Sequence, residues 1–261
     1  MSSATEGTDD AVVIRFEDVR KSFGPKTVLD GLSFEVQRGR TLGIMGPSGT
    51  GKSVALRHII GLIRADSGRV LVEERDVARL ARKELVLLRQ RMGYVFQEGA
   101  LINWLSVGEN LALPLRENTD LREAEIRERV RAKLELVHIP DAWERMPSEI
   151  SGGMKKRVGL ARALITDPEL ILYDEPNAGL DPEIARSINH QIRELAQKLA
   201  VTSIVVEHRI DCIRAVADEV LFLDRGKALM PATSPDEFFR SDHPRLLRFF
   251  SAAGAEQEDV T

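Results

Sequence analysis

The clearest chemistry in the 261-residue chain lies in eight consecutive residues, Gly46-Pro47-Ser48-Gly49-Thr50-Gly51-Lys52-Ser53. They fit the pattern G-x-x-x-x-G-K-[ST], in which glycines let backbone N–H groups converge on phosphate oxygens. An apolar strand is expected before the turn and a helix after it, and the helix N-terminus adds favourable positive potential. Lys52 should reach the β- and γ-phosphates as a point charge, and the Ser53 hydroxyl should ligate Mg²⁺. The expected contact stretch ends at Val54.

A second cluster ends the apolar run Leu170-Ile171-Leu172-Tyr173-Asp174-Glu175. A strand here would lie beside the phosphate-loop strand, so that Asp174 could hold Mg²⁺ through water. Glu175, one residue on, could polarise an attacking water as general base. Pro176 stops the strand. Asp181 precedes Pro182 and reads as the N-cap of a helix with proline in its first position, a role that can coexist with a functional one.

Between these clusters stands Ile150-Ser151-Gly152-Gly153-Met154, which opens a helix. It resembles the LSGGQ signature of ABC ATPases, with Ile for Leu and Met for Gln. A serine, glycine amides and a helix N-terminus suit an anion, although Ser151 as a plain helix cap is the alternative. The resemblance implies that this turn serves the ATP held by a second copy of the chain, in a head-to-tail dimer. Further members of the pattern follow in order. Phe23 falls where the family stacks an aromatic on adenine, a core phenylalanine being the other reading. Gln97 matches the glutamine that touches Mg²⁺ and senses the transporter. Ala178-Gly179-Leu180-Asp181 resembles the segment that crosses the dimer interface, and His208 matches the histidine that contacts the γ-phosphate. Arg209 stands where the family usually has Asp.

These residues need a scaffold. Alternating β-branched residues predict strands at 11–19 and 32–36, and shorter runs predict strands at 41–45, 68–72 and 92–96. Apolar runs at 170–173 and 203–206 read as buried parallel strands. Helical spacing marks 53–62, and Pro182–Leu199 is expected to be a helix between the two runs. Ile126, Val130, Leu134 and Val137 make 123–137 an amphipathic helix inside a strand-poor region, about 98–165. A late hairpin is expected around Arg225-Gly226, with a short amphipathic helix at 245–250. The fold class is therefore α/β with an N-terminal antiparallel β subdomain and a helical subdomain, and the resemblance implies a P-loop NTPase core of ABC ATPase type. The expected division is a disordered tail at 1–11, an ATPase domain at 12–242 and a C-terminal extension at 243–261.

Composition narrows the class. The net charge of -4 supplies no basic excess for a general nucleic-acid binder. Cys212 is the single cysteine, which excludes a disulfide framework and fits a reducing cytosol. No apolar run is long enough to span a bilayer, so any membrane connection is expected to come through a partner.

The insertion refines the resemblance. Gln97-Glu98-Gly99-Ala100-Leu101, Leu105-Ser106-Val107-Gly108-Glu109-Asn110 and Leu113-Pro114-Leu115-Arg116-Glu117-Asn118-Thr119 look like the ATPases of Mla-type, MCE-associated lipid transporters. So does Asp242-His243-Pro244-Arg245 leading to Phe249-Phe250. That resemblance implies an MlaE-like membrane permease, an MCE-domain lipid carrier and a STAS-domain protein as partners, no nucleic acid, and a place on the cytoplasmic face of the inner membrane. It also places the permease's coupling helix on residues 99–115. An importer ATPase for a polar solute and a soluble nucleic-acid-linked ABC ATPase are the rival readings.

Overall fold

The computed structural model describes residues 11–97 and 99–258. The expected tail at 1–11 lies outside the described residues except for Ala11, whose carbonyl accepts from Arg38 N at 2.8 Å. Glu98, in the expected insertion, lies outside them too.

β1 (Val12–Phe23) and β2 (Lys26–Gln37) form an antiparallel hairpin, after which the chain leaves for a second sheet as β3 (Thr41–Met45). It returns as β4 (Ser67–Val72) and β5 (Arg75–Asp76), giving the order β2-β1-β4-β5. The hairpin strands outrun the expected 11–19 and 32–36. Asp18 takes a left-handed φ of 45° where the register shifts between Phe16 and Val19, and that irregularity lets pairing resume to Phe23. Phe16 and Phe34 stack across the pair with ring centroids 4.4 Å apart.

The second sheet adds β6 (Met92–Val95), β7 (Leu170–Asp174), β8 (Thr202–Val206), β9 (Glu219–Asp224) and β10 (Lys227–Ala228). Its order is β10-β9-β3-β8-β7-β6, parallel except for the β9–β10 hairpin. β3 and β8 are buried at every residue, as central strands covered on both faces must be. Their side chains alternate between two cores. Leu42, Ile44, Leu172, Ile204 and Val206 face the antiparallel sheet, whereas Met45, Ile171, Tyr173 and Val205 face the helices.

The helices are α1 (Lys52–Ile59), α2 (Arg82–Gln90), α3 (Val107–Asn118), α4 (Glu123–Leu136), α5 (Gly152–Ala163), α6 (Pro182–Leu199), α7 (Ile210–Val216), α8 (Pro235–Phe239) and α9 (Pro244–Glu258). The sequence reading did not place α2, whose only buried residue is Leu88, so its periodicity is faint. The insertion is helical as expected: α3, α4 and α5 pack through Leu111, Leu115, Val130, Leu134 and Val158. The expected extension begins as α9, with Leu246 fully buried and Phe249 edge-on to Phe222 at 5.1 Å. No described helix is long and apolar enough to cross a membrane.

Candidate functional site

β3 delivers the chain to a loop whose glycines are required by geometry. Gly46 has a φ of 146°, and a Cβ there would sit 2.2 Å from the carbonyl oxygen of Leu223. Gly51 has a φ of 104°, and its Cβ would meet Leu29 Cδ2 at 2.7 Å. Gly51 occupies the N-cap position of α1 and offers no side-chain cap to the first amides of the helix. Lys52 is buried and donates to the carbonyls of Gly46 at 2.7 Å and Pro47 at 3.0 Å. Burial pushes its pKa down, against the charges of Glu175, Glu207 and Asp174. Thr50 donates to Pro47 O at 2.9 Å, while Pro47, Ser48 and Gly49 are exposed. Val54 is half-buried and packs against the core shared with the antiparallel sheet.

β7 and β8 bring the other groups to the same edge of the sheet. Ser53 Oγ donates to Asp174 Oδ1 at 2.6 Å, joining positions 121 residues apart. A hydroxyl and a carboxylate oxygen side by side are the hard donors that Mg²⁺ takes, so these two residues fit that ion. Tyr94 OH donates to Asp174 Oδ2 at 2.9 Å; burial and then the Asp174 charge raise the pKa of this phenol. Glu175 holds a left-handed φ of 48°, uncommon for a residue with a side chain, and its N–H donates to Val206 O at 3.0 Å. Gln97 Nε2 donates to Glu175 Oε2 at 3.2 Å, and His208 Nδ1 lies 3.9 Å from Glu175 Oε1. Gln97 thus stands beside the carboxylate of Glu175, while Ser53 and Asp174 pair with each other.

The serine–glycine turn is elsewhere. Ser151 caps α5, its Oγ accepting from Met154 N at 3.2 Å, and Ser151 and Gly152 are exposed. Among the described residues no hydrogen bond or ion pair joins Ser151 to 46–53. A Cβ on Gly153 would lie 2.8 Å from Ile184 Cγ2, so the turn is packed against the start of α6, which Asp181 caps by accepting from Glu183 N and Ile184 N at 3.0 and 2.9 Å. Phe23 is 49% exposed with Lys21 Nζ 5.5 Å from its ring centroid, which excludes a core role.

Several contributors escaped the sequence reading. Tyr94 looks like any strand aromatic until β6 pairs with β7. Lys156 donates to the carbonyl of Gln97, and Arg162 to those of Ala100 at 2.7 Å and Gly99 at 2.8 Å, so α5 holds Gln97, Gly99 and Ala100. Glu207, fully buried beside His208, did carry a signal: a charge at the end of an apolar strand.

Residues 29–178 match the family model described as ABC transporter. The methionine import ATP-binding protein MetN of Rhizobium johnstonii is 43% identical over 215 residues, 82% of this chain and 59% of that protein. The chain thus spans less than two thirds of that relative's length. The intermembrane phospholipid transport system ATP-binding protein MlaF of Haemophilus influenzae is 40% identical over 226 residues, 87% of this chain and 85% of that one. Among solved structures, a dimeric post-hydrolysis state of the ATP-binding cassette MJ0796 bound to ADP and Pi superposes with a TM-score of 0.78. It shares 29% identity and covers 85% of this chain and 98% of its own.

Proposed function

The chain belongs to the ABC transporter family, and from that premise we propose that it binds and hydrolyses ATP to drive phospholipid movement through a partner membrane permease. The observation that supports the ATPase reading is the convergence of Lys52, Ser53, Asp174, Glu175, Gln97 and His208 at one edge of the parallel sheet.

Two copies meet head to tail. Each ATP lies between Gly46-Pro47-Ser48-Gly49-Thr50-Gly51-Lys52-Ser53-Val54 of one copy and Ser151-Gly152-Gly153-Met154 of the other. Phe23 stacks on the adenine, and the loop amides with Lys52 hold the phosphates. Ser53 and Asp174 would hold Mg²⁺, with Gln97 reaching it from beside Glu175, and the ion would supply neutralisation of phosphate charge. Glu175 orients water and takes its proton as the water oxygen attacks the γ-phosphorus. The bond to the bridging oxygen breaks, leaving ADP and inorganic phosphate, and His208 contacts the γ-phosphate oxygens. Contacts made only in the closed dimer let ATP shift the open–closed equilibrium. Asp181 lies in the segment that crosses between the copies.

The lipid reading rests on the segments at 97–119 and on the phospholipid-transport relative. Its partners are an MlaE-like permease docking on residues 99–115, an MCE-domain lipid carrier and a STAS-domain protein, with the chain on the cytoplasmic face of the inner membrane. The methionine-import relative favours a second reading, an importer ATPase for a small polar solute. Purifying the native complex decides between them. A permease carrying phospholipid together with an MCE protein supports the first reading; a permease with a soluble solute-binding protein overturns it in favour of the second.

A further inference from the structure

Glu207 follows the last residue of β8 and is fully buried, yet it carries a carboxylate that the assigned chemistry does not use. Its own N–H donates to Ile44 O at 3.2 Å, fixing it to the strand that leads into the phosphate loop. Oε1 accepts from His208 N at 2.9 Å and Arg209 N at 3.4 Å, and lies 3.2 Å from His208 Nδ1. Oε2 accepts from Asn177 N at 3.4 Å. Asn177 is itself buried and donates through Nδ2 to Asn189 on α6 at 2.6 Å. One carboxylate therefore touches both the histidine and the residue from which the chain turns towards Asp181.

We propose that Glu207 is a positioning residue that holds His208 with its proton on Nδ1, presents Nε2 to the γ-phosphate, and ties that histidine to the Asn177–Asp181 turn. An ionised carboxylate has no proton to donate, so the imidazole must be the donor in the contact at Nδ1. Burial raises the pKa of Glu207, and the N–H groups of Asn177, His208 and Arg209 oppose that rise by supplying the donors that an ionised carboxylate needs. The remaining charged neighbours are arranged around this contact: Glu175 Oε1 at 3.9 Å from the same Nδ1, Lys52 across the loop, and Arg209, which turns to Asp211 at 3.0 Å. His208 is 42% exposed at its side chain and borders a cavity of about 400 Å³ that Pro47 and Ser48 of the phosphate loop share with Arg245, Arg248 and Phe249 of α9.

The inference rests on the assignment of His208 to the γ-phosphate, and a mutant cycle separates the two. ATP turnover and the KM for ATP are measured for wild type, Glu207→Gln, His208→Ala and the double variant. Glu207→Gln should lower kcat about 10- to 100-fold with KM changed less than about threefold, as expected for loss of an orienting partner. The double variant should be no slower than His208→Ala within about twofold, because Glu207 acts through the imidazole. Wild-type kcat in His208→Ala would remove the assignment of the histidine. Loss in His208→Ala with either full activity in Glu207→Gln or a further independent loss in the double variant would overturn the positioning role alone. Should Glu207→Gln fail to fold, nitrogen-15 NMR of the wild-type imidazoles decides, with His208→Ala identifying the signal. A proton on Nδ1 of His208 is the expected result, and a bare Nδ1 with the proton on Nε2 refutes the proposal.

Discussion

Gln97 Nε2 and Glu175 Oε2 are joined by a 3.2 Å hydrogen bond across 78 residues of sequence, so the loop held by α5 touches the carboxylate proposed as the base. Glu175→Gln keeps the side-chain shape and removes the base. Turnover should fall by about 10²- to 10⁴-fold while ATP still binds. ATP should then accumulate a dimer in light scattering, and phosphate release at the wild-type rate would refute the assignment.

Arg162 donates to two loop carbonyls, those of Gly99 and Ala100, and burial lowers its pKa without removing its charge at neutral pH. Arg162→Ala leaves both acceptors without these donors and should cost about 1.5–3 kcal/mol. Urea unfolding measures it, and a loss below about 0.5 kcal/mol would show that the grip contributes little.

Gly153 has no room for a methyl group, since a Cβ would come within 2.8 Å of Ile184 Cγ2. Gly153→Ala should push the exposed serine turn away from α6 and reduce ATP-driven dimerisation by about 10-fold or more. Ile184→Ala in the same chain opens the space and should recover most of that loss. An unchanged dimer fraction in Gly153→Ala would mean that the turn tolerates the shift.

Cys212 is fully buried, and burial pushes its thiol pKa well above 9.0, with Glu207 and Asp211 adding to the effect. In the native protein a maleimide at pH 8.5 should label it at least about 100-fold more slowly than in denaturant. The linkage sign follows from a folded pKa above the unfolded one. The stability it contributes is fully present below pH 9.0 and is lost as pH rises towards the folded value. Stability curves of wild type and Cys212→Ala should therefore converge above pH 9.0, and parallel curves would contradict the shift.

Much of this was legible because burial on both faces leaves a plain mark. Thr41–Met45 is a strand with the bounds that its apolar run predicts, and Pro182–Leu199 is a helix with the bounds set by Asp181, Pro182 and its apolar spacing. The expected position of the Asp174 strand beside the phosphate-loop strand is corrected by the fold: β8 lies between β3 and β7, and Ser53, one residue into α1, meets Asp174 from the end of the sheet. Tyr94 was not legible, because its value depends on β6 sitting beside β7 and nothing in Met92-Gly93-Tyr94-Val95 names that neighbour. α2 was missed for the opposite reason: it leaves Val86 and Leu87 exposed and buries only Leu88, so no stripe forms. Lys156 and Arg162 had no assigned role in the sequence, because nothing around them names the loop carbonyls that the fold brings to α5.

The order β3-β8-β7 has a consequence for how the protein is made. The strand before the phosphate loop and the strand bearing Asp174 do not pair; β8, residues 202–206, is the plank laid between them. A nascent chain exposed as far as residue 174 therefore holds both halves of the catalytic pocket but not the piece that brings them together. Nascent chains should thus emerge as inert cargo, gaining the ability to burn nucleotide only once residues 202–206 are threading into place.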